Sequence, residues 1–221
     1  MIAEELINQM IPPLKPTDTA GKALSWMNNL HISQLPVVDQ QIYQGIVTEE
    51  TITEAEDLSR PLSTMDLVFA DLNVHYDDHF YDVLKKASKN KLQILSVLDD
   101  ANKYLGVISI TDASAAIANM FASQGPGGII VLAMKDTDYS LAQISRLVEN
   151  NDAKIMSSFV TNEDRDPSII RLTLKLDKID LSRIISTLER YSYQVVAQFQ
   201  ESALQNNDQD RLDLLLKYLN I

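Results

Sequence analysis

The first half of the chain is written twice. Leu35-Pro36-Val37-Val38-Asp39 recurs sixty residues later as Leu95-Ser96-Val97-Leu98-Asp99, and Gly45-Ile46-Val47-Thr48 recurs at an offset of sixty-one as Gly106-Val107-Ile108-Ser109. The register extends upstream: Thr17-Asp18-Thr19 lies over Asp77-Asp78-His79, and Ala23, Leu24, Met27 and Ile32 lie over Val83, Leu84, Ala87 and Leu92. A repeat that keeps its apolar positions over a whole period duplicates a supersecondary unit, whose copies can cover each other's apolar faces. The chain is therefore constrained to two like units, and any other fold must come from the residues that follow them.

In the first copy, Pro16-Thr17-Asp18-Thr19 supplies N-cap oxygens ahead of Ala23, Leu24, Met27 and Leu30, which are spaced as one face of a helix. The period then becomes that of two short strands, Gln34 to Asp39 and Gln41 to Thr48, around a polar turn. Glu49 to Leu58 reads as a helix with an acidic first turn, as the helix dipole favours. The second copy repeats this order with a helix over Asp78 to Asn90, strands over Gln93 to Leu98 and Tyr104 to Ser109, and a helix over Thr111 to Phe121. Short extended leads, Met10 to Lys15 and Leu67 to Val74, precede the two copies.

Ser123-Gln124-Gly125-Pro126-Gly127-Gly128 holds three of the six glycines and reads as a linker at a domain boundary. It lacks the Lys-Ser/Thr that follows the glycines of a P-loop. Beyond it the pattern gives strand Ile129 to Met134, helix Ser140 to Asn150, strands Lys154 to Thr161 and Ser168 to Leu176, helix Leu181 to Tyr191 and strand Gln194 to Phe199. Strand-helix-strand-strand-helix-strand is the order of a ferredoxin-like sandwich, so the fold class is α+β. Leu212, Leu215, Leu216 and Leu219 then form the apolar stripe of a C-terminal amphipathic helix within 201–221, fitted to its own domain or to a partner subunit's groove. The expected domains are 1–60, 61–122, a linker at 123–128, 129–200, and the terminal helix.

A formal net charge of −12 excludes nucleic acid as a partner, because phosphate binding needs Lys and Arg to displace counterions. No apolar run is long enough to span a membrane, and Met1-Ile2-Ala3-Glu4-Glu5 is acidic where a secretory signal is basic, so the expectation is a cytoplasmic protein without membrane contact. Cysteine is absent, which excludes disulfides and thiolate chemistry. His31, His75 and His79 show no metal-ligand spacing and no GxSxG elbow is present, so a non-catalytic protein is expected. Trp26 and Met27 read as core, His79 as a surface residue at a helix start.

The repeated unit, with its apolar-Pro-Val-Val-Asp strand and its Gly-apolar-apolar-Ser/Thr-x-x-Asp junction, resembles the CBS domain, which occurs in tandem as a Bateman module. The second half, through its element order and Ile130-Val131-Leu132-Ala133-Met134-Lys135-Asp136 leading to Leu141 and Ile144, resembles an ACT domain. A CBS pair followed by an ACT-like domain is the layout of the acetoin-utilisation accessory protein family. The resemblance implies two β-α-β-β-α units packed as a pair, with clefts for an adenosyl ligand: AMP, adenosine, ATP or S-adenosylmethionine. In the second copy it implies that Gly106 admits the ligand, Ser109 is the phosphate-side hydroxyl, Thr111 is a helical N-cap or a second phosphate contact, and Asp112 accepts the ribose hydroxyls.

The first copy departs from the pattern. Gly45 and Thr48 are kept, but Thr51 stands in place of the ribose Asp, and Glu49 and Glu50 would repel a phosphate at the helix start. One working cleft at Asp112 is therefore expected, with Gly45 and Thr48 marking a weaker one. Lys91 and Lys103 are the only nearby cations in the second copy, which favours AMP, adenosine or S-adenosylmethionine over ATP. The ACT resemblance implies an amino-acid site, but Asp136-Thr137-Asp138-Tyr139-Ser140 lacks the glycine that such a site needs. The expectation is a regulatory homodimer that senses an adenosyl ligand, binds an unnamed regulated protein and dimerises through the ACT-like domain. The alternative is a ligand-free interaction scaffold.

Overall fold

The structure is a computed structural model and describes residues 1–55, 57–123, 125–163 and 166–200. The terminal helix expected over 201–221 lies outside the described residues. Two compact units divide the chain, the first ending at Ile117 and the second beginning at Ala118.

In the first unit, α1 (Ala20–Leu30) starts where Thr19 Oγ1 accepts from the Lys22 N–H, an N-cap that satisfies one of the orphan donors of a helix start. It ends at His31 in the left-handed region, φ 55°. The equivalent α3 (Phe80–Asn90) ends the same way at Lys91, φ 53°. Hairpin β1 (Gln34–Asp39) and β2 (Ile42–Thr48) matches hairpin β4 (Ile94–Leu98) and β5 (Tyr104–Ser109), each with a register shift at the same place, Val37/Val38 and Val97/Leu98. The duplication therefore reaches the irregularities of the backbone.

The leads behave less evenly. That of the second copy forms β3 (Asn73–His75), parallel to β4, whereas that of the first makes only a parallel bridge between Leu14 and Val37. Further upstream the leads cross over. Asn8 bridges to Val107 of the second copy, and Val68 bridges to Ile46 of the first. Asn8 N–H donates to Val107 O at 2.8 Å; Ile46 and Val68 exchange two bonds, at 2.7 and 2.9 Å. This exchange stitches the copies over one continuous apolar core that includes Leu14, Met27, Leu35, Ile46, Phe80, Ile94 and Ile108.

Helix α2 (Glu49–Glu54) stops short of the expected Leu58. The backbone after it is needed elsewhere: Leu58 O accepts from Gly21 N–H at 2.8 Å and Arg60 O from Ala20 N–H at 2.9 Å. These carbonyls cover the open N–H groups of α1, which a continued α2 would leave unpaired. Helix α4 (Ile110–Met120) completes the second copy.

Two tyrosines at equivalent positions face unlike surroundings. Tyr43 OH donates to Phe69 O at 2.9 Å, and burial pushes its phenol up to about 12. Tyr104 OH is buried without a partner among the described residues, and burial raises its pKa as well. The same Tyr→Phe change is thus expected to have opposite signs. At Tyr43 it should cost about 1 kcal/mol, and at Tyr104 it should gain up to about 1 kcal/mol by removing an unsatisfied hydroxyl. Urea denaturation of the two variants checks this, and equal signs would refute it.

In the second unit, β6 (Ile129–Lys135), α5 (Leu141–Glu149), β7 (Ile155–Asn162), β8 (Ile169–Leu176), α6 (Ser182–Arg190) and β9 (Gln194–Phe199) follow the expected order. The sheet runs β7-β8-β6-β9 with every pair antiparallel, which is the ferredoxin-like topology. Burial alternates along the central strands. Ile130, Leu132, Leu172 and Leu174 meet Ile144, Val148, Ile184 and Leu188 of the helices in a core of their own.

Candidate functional site

The β5–α4 junction gathers the residues expected to bind. Asp112 N–H donates to Ser109 Oγ at 3.0 Å, and Ser109 Oγ–H donates to Asp112 Oδ2 at 2.5 Å, a reciprocal cap that fixes the carboxylate over the first turn of α4. The helix start is anchored further by Ile110 N–H, which donates to Gln93 O at 2.9 Å. Ser109 is buried, Asp112 half-buried and Thr111 exposed on the first turn.

The lead of the other copy packs directly against this junction. Asn8 Nδ2 donates to Asp112 Oδ2 at 2.7 Å, while Asn8 Oδ1 accepts from Met10 N–H at 2.7 Å. Ile7 occupies the space beside Gly106, where an added Cβ would come within 2.4 Å of the Ile7 Cγ2. Neither residue stood out in the sequence. Extending the sixty-residue offset one step further upstream would have found them, because it pairs Ile7 with Leu67 and Asn8 with Val68.

The cations separate. Lys103 immediately precedes β5 and Ser109 closes it, so the strand, about 20 Å, lies between their backbones. Lys91 is exposed and two residues from Gln93, which bonds the start of α4, so it lies at the Asp112 end.

The first copy keeps the cap without the carboxylate. Thr51 N–H donates to Thr48 Oγ1 at 3.1 Å, and the two hydroxyls lie 2.9 Å apart. Gly45 adopts φ +141°, a conformation side chains rarely take, and faces Leu67 and Val68 O. A cavity of about 490 Å³ opens here, lined by Ser33, Gln34, Thr48, Glu49, Glu50 and Glu54 among others. Its three glutamates make it hostile to an anion.

His79 Nδ1 caps α3 by accepting from Tyr81 N–H. His75 lies between Asp77 at 2.6 Å and Asp100 at 3.1 Å, and the Asp77 hydrogen bond holds its pKa above the ordinary value. In the second unit, Asp136 and Asp138 are exposed in a single 3-10 turn, and Ser140 caps α5 through Gln143 N–H. Among the described residues no group of three or more His, Asp or Glu side chains is arranged to hold a metal, and no helix is long and apolar enough to cross a membrane.

The CBS domain family matches residues 3–57 and 66–119. Among curated proteins, the chain is similar to inosine-5'-monophosphate dehydrogenase of Methanocaldococcus jannaschii, at 30% identity over 114 residues. That match takes in 50% of this chain and 22% of the dehydrogenase; a second match, to an uncharacterised protein of the same organism, takes in 36% of that protein. The chain thus spans well under half the length of these relatives. Among solved structures, it is similar to a CBS domain pair/ACT domain protein from Thermotoga maritima, with 21% identity, TM-score 0.49, and 54% and 98% of the two chains covered. It is also similar to CBSX2 in complex with AMP, with 17% identity, TM-score 0.46, and 53% and 96% covered.

Proposed function

The N-terminal half of this chain is a tandem pair of CBS domains, and from that premise we propose that the protein is a regulatory sensor that binds an adenosyl ligand at the Asp112 cleft. The observation that carries this is the capped carboxylate. Asp112 is held at the start of an eleven-residue helix, where its oxygens can accept the vicinal hydroxyls of a ribose while the helix N-terminus meets a 5′-phosphate or carboxylate. A diol acceptor beside an anion site suits a nucleoside with a charged 5′ group.

Of Lys91 and Lys103, Lys91 alone lies at this end of the repeat, so AMP, adenosine or S-adenosylmethionine fits better than ATP. Ser109, Thr111 and Asp112 form the ligand side, with Gly106 behind them packed against Ile7 rather than open to a ligand, and the Gly45 and Thr48 cleft is the weaker one. The βαββαβ unit at 129–200 acts as an ACT-like dimerisation domain after a linker at 123–128, in a cytoplasmic homodimer that signals to a regulated protein. Ligand binding would bias the packing of the two repeats, and with it the surface the partner reads. The chain carries no catalytic role in this reading.

Titration calorimetry with adenosine, AMP, S-adenosylmethionine and ATP tests it. AMP at about one hundred times its Kd should stabilise the wild type by about 2.7 kcal/mol and leave Asp112→Ala unchanged. Equal stabilisation of the variant would remove Asp112 from the site, and ATP as the tightest ligand would overturn the charge argument. The scaffold reading draws on one observation, that Ser109 and Asn8 already engage Asp112. Failure of all four compounds to bind would favour it.

A further inference from the structure

We propose that Asn8 is a competitor built into the Asp112 cleft: its side-chain amide holds the carboxylate position that a ribose hydroxyl must take, so a ribonucleoside binds by displacing it. This rests on the cleft being an adenosyl site.

A carboxylate oxygen accepts about two hydrogen bonds. Among the described residues, both side-chain donors to this carboxylate, Ser109 Oγ–H and Asn8 Nδ2–H, land on Oδ2 and neither on Oδ1. A vicinal diol held bidentate needs a site on each oxygen, so one hydroxyl can take Oδ1 and the second must evict a donor. Ser109 is the harder to move, because its Oγ also caps the Asp112 N–H. Asn8 Oδ1 also accepts from Met10 N–H, but that partner is exposed and belongs to the same lead, so water can replace the bond, and the Asn8 amide can yield while its backbone N–H stays bound to Val107 O.

In the other repeat the lead is held without an amide. Val68 occupies the position equivalent to Asn8 and secures its own lead through two backbone bonds with Ile46. Thr51 occupies the position equivalent to Asp112. Amide and carboxylate are thus present together in one cleft and replaced together in the other.

The test titrates AMP and 2′-deoxy-AMP by calorimetry into wild type, Asn8→Ala and Asn8→Val; valine is the side chain the equivalent lead already carries. Both variants should bind AMP about tenfold tighter, one charge-assisted hydrogen bond no longer having to be broken. Affinity for 2′-deoxy-AMP should be unchanged, because its single hydroxyl is served by Oδ1. AMP binding that is equal or weaker in both variants, with wild type binding AMP through Asp112, overturns the competitor role and leaves the adenosyl site standing. If wild type and variants all fail to bind either nucleotide, the adenosyl reading falls, and the competitor role with it. A matching gain for 2′-deoxy-AMP would also overturn it, showing a general loosening of the lead.

Discussion

Gly127→Ala is expected to destabilise the second unit by about 3 kcal/mol or more, from φ strain and steric overlap together. Gly127 has φ +133°, and an added Cβ would come within 1.9 Å of Leu176 O and 3.3 Å of Asp177 Cα. Both obstacles are backbone, and neither can yield locally. Leu176 N–H donates to Gly128 O at 2.9 Å, Gly128 N–H donates to Lys178 O at 2.7 Å, and Lys175 Nζ donates to Gly127 O at 3.0 Å. Relief would therefore open the end of the β6–β8 ladder. Gly125 lies two residues away in the same run and is the control. Among the described residues a Cβ there would meet only Ala122 O, at 3.7 Å, so Gly125→Ala should change stability by less than about 0.5 kcal/mol. Urea midpoints of the two variants check the contrast, and a Gly127→Ala as mild as Gly125→Ala would refute it.

That contrast shows what the sequence could and could not reveal. Three glycines in a row of small polar residues look alike in composition, and only the strand partner of Gly127 distinguishes it from a turn glycine. The element order was legible because apolar period and N-cap residues are local signals: Thr19 and Ser140 cap the helices they precede, and the βαββαβ unit follows from alternation along β6 and β8. The early end of α2 was not legible, since it is decided by the donors of α1, some thirty residues earlier in the chain. Ser109 and Asp112 were visible as a short-range motif. Asn8 was not, because its bond to Asp112 spans 104 residues and exists only when the leads cross.

Phe80→Ala is the substitution expected to cost the first unit most, about 3–5 kcal/mol, the range for emptying a buried aromatic site. Phe80 is 1% exposed and opens α3, while the equivalent residue opening α1 is Ala20, 0% exposed. Two copies of one unit thus fill the same position with side chains of very different volume. The reason is what lies over each helix start. Ala20 N–H and Gly21 N–H are covered by the carbonyls of Arg60 and Leu58, whereas Phe80 N–H donates to Met1 O at 3.2 Å, and Asp78 O and Tyr76 O take the N–H groups of Ala3 and Glu4. The segment over α3 is thus the beginning of the chain, which continues to Ile7 and Asn8. Ala20→Phe should therefore fail to reproduce its twin and instead overpack, costing about 1–3 kcal/mol. Phe80→Ala should do more than lower the urea midpoint: with Met1 to Glu4 loosened from α3, amide exchange should quicken at Asn8, whose N–H is bound to Val107 O. A loss below about 1 kcal/mol, or unchanged exchange at Asn8, would show that the lead is held by the β5 contact alone and that Phe80 plays no part in forming the Asp112 cleft.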